Sequence, residues 1–231
     1  MKNVFLIIMA ILIVGCSKDS VEVPTIITDL DGNVYNAVVI GKQTWMKTNL
    51  NVSKYQDGTL IPEVTDPVQW AKLTTGAWCY YESTDGNIYG KLYNWYAVAG
   101  IWDEASKTNE SQRKQLAPTG YKIPSDEEWT TLTDYIGGGA VAGGKMKEIG
   151  IANWTSPNSE ATNSTGFTGL PGGIIISNGT FYFIGDHGYW WSSTGRDTAT
   201  AWNRSLGYNS GIACGSYADK NYGFSVRCIK K

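Results

Sequence analysis

Residues 188–194 read GYWWSST, with Trp190 and Trp191 adjacent in a stretch that has the character of a β-strand. Neighbouring residues of a strand point to opposite faces of a sheet. The two indoles therefore cannot share one core. Either the strand is covered on both faces, or one ring is displayed for a ligand.

The flanks are β-rich. Upstream, GGIIISNGTFYFIG (172–185) reads as a hairpin turning at Asn178-Gly179. Downstream follow TAWNRSLGY (200–208), GIACGSY (211–217) and GFSVRCIK (223–230), all strand-like. Before them, NWTSPNSEATNSTGFT (153–168) is polar and coil-like. IPSDEEWTTLTDYIGGG (123–139) carries the strongest helix signal: Ser125 as N-cap, Glu128 closing a capping box, Asp126 and Glu127 at the positive end of the dipole, and glycines as the stop. Trp129, Leu132, Tyr135 and Ile136 then fall on one face. A shorter helix is expected in AVAGGKMKEIG (140–150). IWDEASKTNESQRKQL (101–116) reads as a polar helix or an exposed loop. At the other end, TDLDGNVYNAVVIGKQTWMKTNL (28–50) reads as a hairpin with turns at Asp31-Gly32-Asn33 and Gly41-Lys42-Gln43. TTGAWCYYE (74–82) and NIYGKLYNWYAV (87–98) are strand-like or aromatic. DGNVY at 31–35 recurs as DGNIY at 85–89, which is turn chemistry and not a solenoid repeat. No low-complexity linker divides the chain, so one domain is expected over 27–231.

The N-terminus has a single positive charge, Lys2, and an apolar run, Val4 to Val14, too short to span a bilayer as a helix. The closing Ile13-Val14-Gly15-Cys16 resembles the lipobox of bacterial lipoproteins. That resemblance implies a signal peptide over 1–15, acylation of Cys16 and a lipidated tether over 16–26. Its acyl chains, at ~0.8 kcal/mol per buried methylene, would hold the domain on the lipid bilayer. Ser17 is similar to an outer-membrane address, and the charged Lys18-Asp19 to signals that place lipoproteins on the cell surface.

The chain has a formal net charge of −2 and no basic run, so nucleic-acid binding has no electrostatic footprint. Ten tryptophans and fourteen tyrosines can build a core for a loop-rich fold or serve as sugar platforms.

The phrases TDLDGNVYNAVVIGKQTWMKTNL, LYNWYAV, APTGYKIPSDEEWTTLTDYIGG, GYWWSST and NYGFSVRCIK, in this order, resemble the Fibrobacter succinogenes major paralogous domain, a family with no established biochemical activity. IPSDEEW (123–129) and GFSVRC (223–228) are also similar to formylglycine-generating sulfatase-modifying factors. The resemblance implies an α+β, C-type lectin-like mixed fold: an antiparallel sheet joining the two ends of the domain, one or two helices, and a long loop region. In such a fold both Trp190 and Trp191 are expected to be buried. Ala117 stands where the family usually carries a cysteine, which implies that Cys228 lacks its partner. Three cysteines besides Cys16 leave at least one thiol unpaired, and a Cys79–Cys214 disulfide is one pairing the count allows.

Metal and nucleophile chemistry find little support. His187 is the only histidine and sits in a turn, GDHGY, where a solvated loop residue is expected; the cysteines have no CxxC spacing. Asp29, Asp31 and Asp186 are calcium-type acids, but DLDGN is too short for an EF-hand loop. The sulfatase-modifying resemblance suggests a copper oxidase held by two nearby thiolates, and Cys214 stands alone. No catalytic residue, cofactor or metal is assigned. The expected function is that of a lipid-anchored, non-catalytic envelope or surface protein that binds a glycan or another envelope protein. Trp154, Trp102 and Trp202 are the candidate ligand-binding residues. The rivals are a purely structural coat protein and an enzyme of the formylglycine-generating type.

Overall fold

The computed structural model describes residues 26–82 and 86–231; Cys16 and the rest of the signal lie outside the described residues. The N-terminal elements are β1 (Ile27–Thr28), β2 (Val34–Tyr35), β3 (Ala37–Ile40), β4 (Gln43–Met46), α1 (Pro67–Trp70), β5 (Trp78–Cys79), α2 (Gly86–Tyr89), β6 (Leu92–Asn94) and α3 (Trp95–Val98). The middle holds α4 (Glu104–Thr108), a 3-10 turn (Glu110–Gln112), β7 (Tyr121–Lys122), α5 (Asp126–Tyr135) and α6 (Gly139–Met146). The C-terminal part is β8 (Gly172–Ile175), β9 (Phe181–Ile184), β10 (His187–Gly195), β11 (Thr200–Gly207), β12 (Ala213–Asp219), β13 (Gly223–Phe224) and β14 (Ile229–Lys230). The fold is α+β, mostly sheet with short helices.

The two ends of the domain meet in a four-stranded antiparallel sheet ordered β3-β4-β14-β7, with Ile229 opposite Trp45. A larger sheet runs β12-β11-β10-β8-β13-β6-β5, with β9 beside β8. It is mixed and not purely antiparallel as expected, because β10 and β8 run parallel through Gly188 and Gly173. Both expected hairpins form, β3–β4 and β8–β9. The second DGN phrase does not repeat the first, since its Gly86 and Asn87 open α2; in the segment read as strand-like or aromatic, β6 ends at Asn94, whose side chain caps α3 by accepting from Ala97 N.

Helix α5 begins as its sequence dictates, with Ser125 Oγ accepting from Glu128 N (3.1 Å) and Glu128 reaching back to Ser125 N (2.9 Å). Trp129, Leu132 and Ile136 are buried, but Tyr135 is exposed. The apolar stripe is narrower than the composition suggested, because α6 and the sheet cover only one side of this helix.

Strand β10 is covered on both faces, and Trp190 and Trp191 are both fully buried. Trp190 belongs to the core formed with Trp129, Leu132 and Met146 of the two helices, together with Phe167. Trp191 enters the other core, stacked on Phe224 at 4.2 Å with its Nε1 donating to Tyr93 O (2.8 Å). Gly188 makes this crossing possible: a Cβ there would lie 2.4 Å from the Trp190 ring and 2.4 Å from Leu170 O.

Two buried cations tie the loops to the sheets. Arg227 donates from Nε and Nη2 to Asn49 Oδ1 (3.1 and 2.7 Å) and from Nη1 to Met46 O (3.2 Å) and Phe167 O, and its guanidinium lies 4.3 Å over the Phe167 ring. Burial pushes its pKa down to about 9, which leaves it charged at neutral pH. Lys147 donates to Ser159 O, Gly207 O and Ser210 O at 2.8–2.9 Å, and burial pushes its pKa down to about 8. Each cation is held by carbonyl oxygens and not by a carboxylate, so neither is an ion pair that solvent charge could screen.

Candidate functional site

The segment 101–116, read as a polar helix or an exposed loop, holds both: the short α4, the 3-10 turn and exposed loop around them. Asp103 caps α4 in a capping box with Ser106, whose buried hydroxyl also accepts from Trp102 N (3.1 Å). Asn109 then caps the 3-10 turn by accepting from Ser111 N (3.1 Å). Short polar side chains thus satisfy the backbone at each change of direction. Gly100 lets the returning strand of the loop come close: a Cβ at its φ of +71° would sit 2.0 Å from Lys114 O.

This loop frames three adjoining clefts of about 780, 600 and 300 Å³, and Arg113 lines all three. Trp102 stands in the wall of the largest and is 41% exposed. Its Nε1 donates to Gln112 O (3.2 Å), and Lys114 Nζ lies 4.0 Å from the ring centroid while pairing with Asp57 at 2.6 Å. The ring is therefore both exposed and fixed in orientation, which lowers the entropic cost of stacking a ligand on it. The lysine acts on the indole as a cation on a π face.

Of the other candidates, Trp154 is a correction. It is 2% exposed, donates Nε1 to Gly169 O (3.0 Å) and fills the core under Trp190. The polar stretch 153–168 reads as open coil because its Asn, Ser and Thr side chains satisfy its own backbone, but it folds down to cover a sheet face and buries its one indole there. Trp202 is half-buried and meets the exposed Tyr217 edge-on at 5.9 Å, with Arg196 3.6 Å over the Tyr217 ring. It lines none of the three clefts.

Cys79, Cys214 and Cys228 are all free thiols. A Cys79–Cys214 disulfide does not form, because β5 and β12 are opposite edges of the large sheet. Burial pushes the Cys79 and Cys228 thiols far up, so neither is a ready nucleophile. His187 is not the solvated turn residue its neighbours suggest. It opens β10, half-buried among Phe183, Tyr189 and Tyr208, and desolvation lowers its pKa. In DLDGN, Asp29 accepts from Asp31 N, Asn33 N and Asn33 Nδ2. Burial would raise the Asp31 carboxyl, but Lys54 and Ser53 outweigh it and hold it at about 2. Asp29 is spent inside the hairpin, and Asp31 on Ser53 and Lys54 beyond it. Among the described residues no three His, Cys, Asp or Glu side chains are grouped to hold a metal ion, and no helix is long and apolar enough to cross a membrane.

The model of the Fibrobacter succinogenes major domain matches residues 38–230. The chain belongs to that family. The match begins in β3 and ends at the last residue of β14, so the Fibrobacter succinogenes major domain corresponds to the unit closed by the β3-β4-β14-β7 sheet, and the small β1–β2 hairpin lies outside it. No curated protein and no solved structure matches the chain.

Sequence reasoning missed the cations of the site. Arg113, Lys114 and Lys220 lie in unremarkable polar stretches, and only the folding of residues 99–116 against the β10–β11 turn gathers them. The one available signal was Trp102, an aromatic standing at the head of a largely polar run.

Proposed function

We propose that this protein is a lipid-anchored, non-catalytic envelope protein of the outer membrane that binds a glycan through the Trp102 cleft. The observation that carries the reading is Trp102: a large aromatic ring, exposed and yet held by Gln112 and Lys114, in the wall of the largest cleft. Aromatic faces bordered by polar groups suit sugar rings, which present C–H bonds on one side and hydroxyls at the rim. We further assign the fold to the C-type lectin-like class, supported by the pairing of β4 with β14 and by the loop framework on one part of the domain. A non-catalytic role is supported by the dispersed cysteines: oxidase chemistry of the formylglycine-generating kind needs two close thiolates, and Cys214 is on a sheet edge with the other two thiols buried elsewhere.

A glycan array probed with the purified full chain in detergent tests the binding reading. Trp102→Ala is expected to lose binding by tenfold or more with the melting midpoint almost unchanged, because an exposed ring leaves no cavity behind. A blank array with a captured envelope protein instead would replace the glycan by a protein partner. For the anchor, metabolic labelling with a palmitate analogue is expected to mark the wild-type protein and not Cys16→Ala, since only a thiol accepts the diacylglycerol. Equal labelling of both would end the lipoprotein reading.

A further inference from the structure

We infer that the middle cleft takes an acidic sugar, with the anionic group received by Lys220. This deepens the glycan reading above and rests on it. The cleft, about 600 Å³, lies between α3, α4 and the β10–β11 turn and is lined by Trp95, Tyr96, Lys107, Arg113, Ser193 and Lys220 among others. Four cations along the three clefts each have a carboxylate of their own: Lys107 with Glu104, Arg113 with Glu110, Lys114 with Asp57, and Lys122 with Glu128, at 2.5–2.7 Å.

Lys220 differs. Among the described residues it forms no ion pair. Its ammonium donates to Asp197 O (2.6 Å) and Thr198 O (3.2 Å) and lies 4.6 Å over the Trp95 ring. An ammonium has three donors, so one is left for a ligand. The neighbouring Asp197 carboxylate is occupied, accepting from Ala199 N, Thr200 N and Thr200 Oγ1 at 2.7–2.8 Å. The cleft wall adds two hydroxyls that make no hydrogen bond within the described residues, those of Ser193 and Tyr96, above a floor containing Trp95 and Ile101. A cation with no direct carboxylate partner, two free hydroxyls and an aromatic floor match a pyranose that carries a carboxylate or a sulfate. Burial pushes the Lys220 pKa down; the nearby Asp197 carboxylate opposes this, and the like charge of Arg113 adds a smaller push in the same direction as burial.

The test is a calorimetric titration of the full chain in detergent with three probes: oligogalacturonate, a sulfated galactan fragment, and carboxyl-reduced oligogalacturonate as the neutral control. At least one acidic probe is expected to bind about tenfold more tightly than the neutral one, the scale of one charge-assisted hydrogen bond. Lys220→Met should abolish that preference, and Lys220→Arg should keep it. Equal binding of acidic and neutral probes, or a preference that survives Lys220→Met in a variant with wild-type melting, overturns the inference and leaves the glycan reading standing. If none of the three binds while the array finds another glycan, the acidic-sugar inference alone fails. A blank array as well removes both.

Discussion

Arg227→Ala is expected to cost at least ~3 kcal/mol and to be among the most damaging single substitutions in the chain. Truncation opens a cavity in a packed region and leaves buried acceptors, Phe167 O above all, without a donor; each such orphan costs ~1–3 kcal/mol. Arg227→Met separates the two contributions. It restores most of the stem volume but none of the hydrogen bonds, and so should recover only part of the loss. A buried ion pair can sometimes be replaced by apolar residues at no cost, but that route is closed here because the partners are mainly backbone carbonyls that no mutation removes. Arg227→Lys should rescue only in part, since a compact ammonium cannot reproduce the planar fork whose Nε and Nη2 meet Asn49 Oδ1 while Nη1 reaches Met46 O and Phe167 O. Denaturant unfolding checks the series. A wild-type midpoint for Arg227→Met would show that the guanidinium only fills space.

Trp190→Ala and Trp191→Ala should each cost ~3–5 kcal/mol, the range for large buried aromatics. The similarity of the two is the point. On a sheet with one solvated face, one of two neighbouring residues would be nearly free to change. Here Trp190 meets Phe167 edge-on at 5.9 Å and donates to Asn49 Oδ1 (2.8 Å), and Trp191 stacks on Phe224 at 4.2 Å. Trp190→Ala also removes one of the donors to the same Asn49 oxygen that Arg227 uses, so the Trp190 and Arg227 substitutions should be non-additive in a double-mutant cycle. A melting midpoint within a degree of wild type for either tryptophan variant would place that ring outside the core and make β10 a ligand-facing strand.

Local signals in the chain account for much of the fold. The capping box at Ser125 and Glu128, the Asn178-Gly179 turn and the β3–β4 hairpin each depend on residues within a few positions of one another, so they are readable without tertiary context. The pairing of the domain's two ends came from the likeness of its terminal phrases to a known family. The expectation for GYWWSST had the same origin: alternation posed the question, and only a fold with cover on both sides could answer it.

Packing decided the rest. Burial depends on what arrives from far along the chain, and local composition carries no record of that. Trp154 in a polar stretch and Trp102 in another look alike as sequence, yet one fills the core beneath Trp190 and the other stands at a cleft. His187 in a turn-like phrase is drawn among aromatics by β9 and β11, and Tyr135 on an apolar stripe is left facing solvent. Cys79 and Cys214 were two of three thiols until the strand order set them at opposite edges of one sheet. The cleft cations are separated by up to 113 positions, from Lys107 to Lys220, and only long-range closure brings them together. Short-range hydrogen bonding is written in neighbouring residues, whereas burial and electrostatic surroundings are set by contacts between distant ones, and those exist only once the chain has folded.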